Sequence, residues 1–217
     1  MTIRVLVADD QPLIRSGFRM IIDERDDLEL AGEAEDGLQA VALAGELDPD
    51  VILMDVRMPK LDGVEATRRL VDAGARARVL VLTTFDLDEY VYASIRAGAS
   101  GFLLKDVKPA ELVDAIRVVA AGNTLFGPAA AKHLIERFAE PRAAAADAAL
   151  DQLTDREREI LRLLAQGLSN AEIAQQLYLS ETTMKSHVSA VLRKLGVRDR
   201  LQAVVAAYES GLVRPGS

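Results

Sequence analysis

Five polar side chains stand at the ends of short apolar runs, and together they could hold a metal ion and accept a phosphoryl group. Asp9 and Asp10 follow Ile3-Arg4-Val5-Leu6-Val7-Ala8. Asp55 follows Val51-Ile52-Leu53-Met54, Thr83 follows Val79-Leu80-Val81-Leu82, and Lys105 follows Gly101-Phe102-Leu103-Leu104. Three neighbouring carboxylates repel one another, so a bound proton or a cation among them must relieve the charge. A hard divalent ion suits such oxygen donors, and Mg²⁺ is commonly held by one or two carboxylates plus phosphate oxygens. Lys105 adds a compact positive charge and Thr83 a hydroxyl donor, both fitted to a phosphoryl group. A carboxylate can itself be the nucleophile, giving an aspartyl-phosphate, and Asp55 stands alone after the most central-looking run. Singly, an Asp after a strand is ordinarily a helix cap and a Lys is ordinarily solvated. Their joint occurrence at four strand ends favours chemistry.

The elements that must position these groups follow from the apolar pattern. Short continuous apolar runs read as buried strands, and amphipathic stretches of helical length separate them. Alternating strands and helices imply an α/β domain with a doubly wound parallel sheet, whose functional groups gather beyond the carboxyl ends of the strands. All five residues then converge on one crevice.

Residues 1–121 resemble a response-regulator receiver domain. The match lies in the acidic pair Asp9-Asp10, the stretch Leu53-Met54-Asp55-Val56-Arg57-Met58-Pro59-Lys60-Leu61-Asp62-Gly63, Thr83 and Lys105. The resemblance implies a five-stranded (βα)5 fold and a Mg²⁺-dependent switch in which Asp55 accepts phosphate from a sensor histidine kinase. It further implies that Asp10 and Asp55 ligate the metal directly, Asp9 through water, and Arg57 through its backbone carbonyl. Phe102, three residues before Lys105, occupies the family's switch-aromatic position; ordinary packing of a strand end is the other reading of that residue.

Length and charge point to more than one domain. The chain has 217 residues, half of them apolar, enough to build a core in each of two small domains. The absence of cysteine removes disulfides, thiolate metal sites and cysteine nucleophiles together. The N-terminus runs directly into a strand without a secretory pattern, and no apolar run approaches a membrane span, so the expectation is a soluble cytoplasmic protein. The net charge of −8 is uneven. Residues 1–121 carry 14 Lys+Arg against 23 Asp+Glu, a balance of −9, whereas residues 151–217 carry 9 against 8, a balance of +1. The acidity belongs to the first domain and says little about the ligand of the second.

After a helix expected over Pro109–Ala121, Gly122-Asn123 is a stop signal. Residues 122–150 read as a connector, with one short helix over Ala129–Ala139 and, over residues 140–150, an alanine-rich stretch that fits a flexible tether or a frayed helix equally. From Leu153 onward the pattern is helical only. Thr154 and Ser169 each precede a Glu by three residues, the spacing of a capping box. Ser180 and Asp199 are further N-caps, and Gly167 and Gly196 are helix stops. A helix near Asn170–Leu177 is joined to the next by Tyr178-Leu179-Ser180, the short link of a helix-turn-helix. In the following helix Met184, Val188, Val191, Leu192 and Leu195 form one apolar stripe. Thr182, Thr183, Lys185, Ser186, Ser189 and Arg193 fall elsewhere, and no acidic residue occurs from Thr182 to Arg198. Hydroxyls with a few cations suit entry into a major groove, although many solvated helix faces look similar.

Residues 151–212 also resemble the LuxR-type helix-turn-helix, through Leu153–Leu161, Gly167–Ala174 and Thr183–Val188. A receiver followed by this module resembles the NarL/FixJ response regulators. That resemblance implies a transcriptional regulator, not an enzyme beyond its own Mg²⁺-dependent phosphorylation and dephosphorylation. It would bind double-stranded operator DNA as a homodimer and have no membrane partner. By the same resemblance Lys185, Ser186 and Ser189 face bases, while Thr182, Thr183 and Arg193 lie nearer phosphates. His187 flanks this set and is as readily structural. Two other classes share part of the pattern. A haloacid-dehalogenase-type phosphatase would need Asp-x-Asp after the first strand, where this chain has Asp9-Asp10-Gln11. A phosphate sink that binds no operator would not need the polarity of the last-but-one helix, and a mobility shift against the chain's own upstream DNA separates the two. The final helix carries Val204, Ala207 and Tyr208 on one side, for a second dimer contact or for packing within its own domain.

Overall fold

Residues alternate in direction along a strand, so an unbroken apolar strand feeds a core on each face of its sheet. In the computed structural model, which describes residues 2–83, 88–123, 125 and 150–213, that happens in the central strands of the first unit. The chain divides into two compact units, Met1–Leu125 and Phe126–Ser217.

The first unit alternates β1 (Ile3–Ala8), α1 (Pro12–Asp23), β2 (Leu28–Ala34), α2 (Gly37–Leu47), β3 (Val51–Asp55), α3 (Gly63–Asp72), β4 (Arg78–Thr83), α4 (Asp88–Ala97), β5 (Gly101–Leu104) and α5 (Pro109–Ala120). The strands form one parallel sheet in the order β2-β1-β3-β4-β5. Leu6, Ala8, Ile52, Met54, Val79 and Val81 pack on one face against Ala40 and Ala44 of α2 and Ala66 and Leu70 of α3. Val5, Val7, Val51, Leu53, Leu80 and Leu82 pack on the other against Phe18 and Ile22 of α1 and Leu112, Ile116 and Val119 of α5. The strand order reverses between β1 and β3, which opens a crevice at their carboxyl ends. The register pairs Ala8 with Met54, Asp55 with Leu82 and Thr83 with Leu104, so the chemically interesting residues end at one level.

The second unit is helical among its described residues: α6 (Asp155–Ala165), α7 (Asn170–Gln176), α8 (Glu181–Leu195) and α9 (Arg200–Glu209). Its boundaries are set locally. Thr154 and Ser169 make full capping boxes with Glu157 and Glu172, and Ser180 and Asp199 accept from Thr183 N and Gln202 N. Each such cap contributes about 1 kcal/mol by satisfying an orphan N–H. Ile160, Leu161, Ile173, Met184, Val191, Leu201 and Ala203 form the interior. The connector helix expected over 129–139 and the tether over 140–149 lie outside the described residues. Leu150, at the tether's end, is buried and accepts from Leu153 N and Arg158 Nε. Among the described residues no helix is long and apolar enough to cross a membrane.

Candidate functional site

The β1 end places Asp9 and Asp10 beside each other but in different surroundings. Asp9 is completely buried, and Asp10 is exposed. Asp9 Oδ1 accepts the Gln11 N–H at 2.9 Å, which turns the chain into α1, whose first residue is Pro12. Asp55, at the end of β3, is buried. Carboxylate oxygens of Asp9, Asp10 and Asp55 all lie within 4.8 Å of one another. Lys105 Nζ, from the end of β5, reaches Asp9 Oδ2 at 2.6 Å and Asp55 Oδ2 at 2.9 Å. No hydrogen bond reaches Asp9 Oδ2 apart from that ion pair. The Lys105 backbone N–H donates to the Thr83 carbonyl at 2.7 Å, which ties the β4 and β5 ends together. Thr83 itself is buried.

These residues fit a small divalent cation. Three carboxylates against one ammonium leave a formal charge of −2. Both Asp9 oxygens are already engaged by protein donors, whereas Asp10 is open to solvent. That division suits direct ligation by Asp10 and Asp55, with Asp9 one shell further out.

The loop after β3 is held close by two glycines. A Cβ on Gly63 would lie 1.9 Å from the Asp55 carbonyl oxygen, and one on Gly37 would lie 2.3 Å from the Leu61 carbonyl oxygen. Gly63 N–H donates to Val56 O and Gly37 N–H to Leu61 O, bonds that require this approach. The Arg57 backbone N–H favours the ionised form of the Asp55 carboxyl, and the Arg57 guanidinium lies over the Tyr90 ring, 5.2 Å from its centroid. Phe102 is half-buried against the same core face as Tyr90 and lines an open groove with Leu104 and Val107.

Two supports escaped the reading of the sequence. Arg15 of α1 is 8% exposed and donates to the Asp9 carbonyl at 2.8 Å, with Glu35 at 3.4 Å and Glu33 at 3.7 Å. Its signal was present: Arg15 shares helical spacing with the buried Phe18 and Ile22, so a cation occupies an apolar face. Asp36 caps α2 through Gln39 N and also accepts from Lys60 Nζ at 2.6 Å, joining α2 to the loop that follows Asp55.

Burial holds the Asp55 carboxyl above its usual range. The Lys105 bond and the Arg57 N–H oppose that effect, and the charge of Asp9 adds to it. For Lys105 burial acts downward, but its bonds to Asp9 and Asp55 outweigh it and raise the ammonium pKa. In the unfolded chain Asp55 ionises near 3.8, and in the folded chain at higher pH. Its contribution to stability is therefore full below 3.8 and is lost as pH rises through the folded value. Without metal at neutral pH, Asp55→Asn is expected to melt a few degrees above the wild type, the two converging in acid. Mg²⁺ should close the gap from the wild-type side, by about 2.7 kcal/mol at 100 times its dissociation constant. Thermal unfolding with and without Mg²⁺ checks both, and an Asn variant that melts lower in the absence of metal contradicts the argument.

In the second unit Thr182, Thr183, Lys185, Ser186, Ser189 and Arg193 are all exposed on α8. Residues 182, 185, 186, 189 and 193 follow one helical stripe, with Thr183 at its edge. Met184, Val188 and Val191 are buried, Leu192 and Leu195 half-buried, and His187 lies between the two sets. Ser186 and Ser189 hydroxyls donate back to Thr182 O at 3.1 Å and Lys185 O at 3.0 Å, which leaves their lone pairs outward. Lys194 is not part of the stripe. Its Nζ donates to Glu157 Oε2 at 2.6 Å, pinning the end of α8 to the start of α6. Arg156 donates to Leu177 O at 3.0 Å and closes the end of α7. Val204, Ala207 and Tyr208 are buried within their own domain, with the Tyr208 hydroxyl 3.5 Å from Ala165 O. Internal packing therefore accounts for these three side chains.

The Lys194 bond is the largest cause of a Glu157 pKa below the ordinary carboxylate value, burial opposing it and the Thr154 donors assisting. A depressed pKa contributes stability above the unfolded value of 4.5 and loses it as pH falls through the folded one. Glu157→Ala is expected to cost about 2 kcal/mol at neutral pH, through a lost cap and a stranded ammonium. Denaturant titration at pH 7 and in acid checks this; a cost that does not shrink in acid counts against the pair.

Comparison with known proteins decides the family. Residues 5–117 match the response regulator receiver domain, and residues 151–207 match the luxR family of bacterial regulatory proteins. The chain is a response regulator of the NarL/FixJ family. It is 47% identical over 213 residues to the uncharacterized transcriptional regulatory protein YxjL of Bacillus subtilis (strain 168), covering 98% of each chain. It is 41% identical over 213 residues to the transcriptional regulatory protein LiaR of the same organism, covering 97% of this chain and 99% of that one. Among solved structures, the response regulator ChrA of a heme-sensing two-component system is 39% identical, with a TM-score of 0.52 over 98% of this chain and 99% of that one. The chain is thus a two-component transcriptional regulator with a receiver and a LuxR-type DNA-binding domain.

Proposed function

We propose that Asp55 is the phosphoacceptor, and that its phosphorylation by a sensor histidine kinase controls how two copies of the chain bind operator DNA. The observation that carries this reading is the double ion pair of Lys105 with Asp9 and Asp55, at 2.6 and 2.9 Å. It places a cation against the candidate nucleophile, where the incoming phosphoryl oxygens need one. In the transfer an Asp55 oxygen bonds to phosphorus as the P–N bond to the donor histidine breaks, and the imidazole leaves with its electron pair. Lys105 exchanges a carboxylate partner for a phosphoryl oxygen, and the Thr83 hydroxyl donates to another. Mg²⁺, held by Asp10, Asp55 and the Arg57 carbonyl with Asp9 behind them, would neutralise phosphoryl charge. Hydrolysis of the aspartyl-phosphate by water resets the switch, so the chain promotes its own phosphorylation and dephosphorylation and turns over no other substrate.

The phosphoryl group adds roughly −1.5 to −2 charge beside Thr83 and Lys105. Movement of Thr83 toward it opens space for the half-buried Phe102 to turn inward, which alters the surface built by the fourth and fifth strand–helix pairs. Either that surface or the α1–α5 surface pairs two receivers. In this reading residues 1–121 form the receiver, 122–150 the connector and 151–217 the DNA-binding domain, and the protein works in the cytoplasm. The test is to supply a small acyl phosphate with Mg²⁺, follow one acid-labile phosphoryl group by intact mass, and measure the gel shift of the chain's own upstream DNA. Phosphorylation that left both self-association and the shift unchanged would overturn the coupling.

A further inference from the structure

The left-handed turn between α7 and α8 is occupied by an unexpected residue. Helix α7 ends in a Schellman motif: Leu179 N–H donates to Ala174 O at 2.8 Å and Tyr178 N–H to Gln175 O at 3.3 Å. The residue at the left-handed position of such a motif is usually glycine, because a Cβ there costs about 1–2 kcal/mol. The other left-handed turns of this unit obey that rule, with Gly167 at φ 92°, Gly196 at 67° and Gly211 at 70°. Before α8 the position is Tyr178, at φ 55°. The only other non-glycine residues at positive φ among the described residues are Asp48 and Lys60, neither β-branched nor aromatic.

The strain is not offset by packing. Tyr178 is 96% exposed and is the one fully exposed aromatic among the described residues. Its ring buries nothing in its own domain, and a strained backbone held without local gain is a mark of function. Its place in the chain says which function. It lies two residues before the N-cap Ser180, hence within roughly 7 Å of the start of α8. In a helix-turn-helix the start of the second helix enters the major groove, and the turn before it meets the groove's edge. A tyrosine there offers a flat ring to a deoxyribose and a hydroxyl to a phosphate oxygen.

We propose that Tyr178 is a DNA-backbone contact that sets the depth and register of α8 in the groove. The proposal rests on the DNA-binding reading given above and adds a residue outside the stripe on α8. A backbone contact by a neutral side chain predicts an unusual combination. Tyr178→Gly relieves the left-handed strain, so the full-length variant should melt no lower than the wild type. Yet it should bind the chain's own upstream duplex, and an unrelated duplex of equal length, roughly tenfold more weakly, with an unchanged salt slope. Tyr178→Phe, which keeps the ring and removes the hydroxyl, should fall between the two. DNA should also protect Tyr178 of the wild type from nitration by tetranitromethane. Binding by Tyr178→Gly within twofold of wild type, or full nitration of Tyr178 on saturated DNA, overturns the contact. Failure of the wild type itself to bind either duplex would instead remove the DNA-binding reading on which it stands.

Discussion

Asp55→Asn is expected to take up no phosphoryl group from a phosphohistidine donor or a small acyl phosphate, with the rate falling by roughly 10⁴-fold or more. That is the scale on which removing a nucleophile acts in enzymes that form covalent intermediates. The substitution keeps the shape of a buried side chain, so a misplaced fold does not explain the loss. The geometry separates the roles of the neighbours. Asp10→Ala removes an exposed carboxylate with no described intramolecular partner, and should chiefly weaken Mg²⁺ binding, so that raised Mg²⁺ restores the rate. Lys105→Met strips the counter-charge from the buried Asp9 and Asp55, and added Mg²⁺ should not restore the rate. Intact-mass measurement of acid-labile phosphate reads all three. A phosphoryl group gained by the Asn variant would move the acceptor elsewhere; a melting temperature of that variant at or above the wild type's is the independent check that it is folded.

Most of this site was legible because its residues terminate buried strands. A run such as Val51-Ile52-Leu53-Met54 belongs to a central strand, and the polar residue after it has one place to go. β2 was less legible. Leu28-Glu29-Leu30-Ala31-Gly32-Glu33-Ala34 is an edge strand paired only with β1, mostly half-buried, and its register shifts between Val5 and Leu6. Its presence came from the family resemblance, not from an apolar run. Arg15 was missed because amphipathic patterning assigns cations to solvent, and only the tertiary fold supplies the Asp9 carbonyl and the two glutamates that make a buried guanidinium tolerable. The helix boundaries of the second unit were legible to a residue or two because each cap is a contact between side chains and backbone three positions apart. What Val204, Ala207 and Tyr208 touch depends on how α9 folds back on α6, which no local pattern encodes.

The second large effect concerns DNA. Residues 151–217 hold 9 Lys+Arg against 8 Asp+Glu. Some of those cations are committed internally: Lys194 to Glu157, Arg156 to Leu177 O, and Arg200 to Leu168 O and Asn170. On α8 the exposed cations are Lys185 and Arg193, too few for one copy to hold a site firmly at physiological salt. Affinity should therefore come from two copies. Joining them through paired receivers raises their effective concentration, and phosphorylation is expected to tighten operator binding by ~10²–10⁴ without a new base contact. A two-fold dimer requires an inverted repeat with half-sites about one helical turn apart. The two cations should fail differently. Lys185, near the start of α8, is expected to meet a base edge, so Lys185→Ala should cost about 1–3 kcal/mol and relax sequence preference at one position of each half-site. Arg193, about two turns further along, should meet phosphate, so Arg193→Ala should weaken all sequences evenly and reduce the salt slope by about one per copy. Lys194→Met, by contrast, should leave that slope unchanged, because its ammonium already has a partner. Footprinting and salt-titrated binding of the phosphorylated protein read each of these. A single unrepeated half-site, bound equally by phosphorylated and unphosphorylated protein, would sink the dimer mechanism, and equal salt slopes for the Arg193→Ala variant and the wild type would remove Arg193 from the interface.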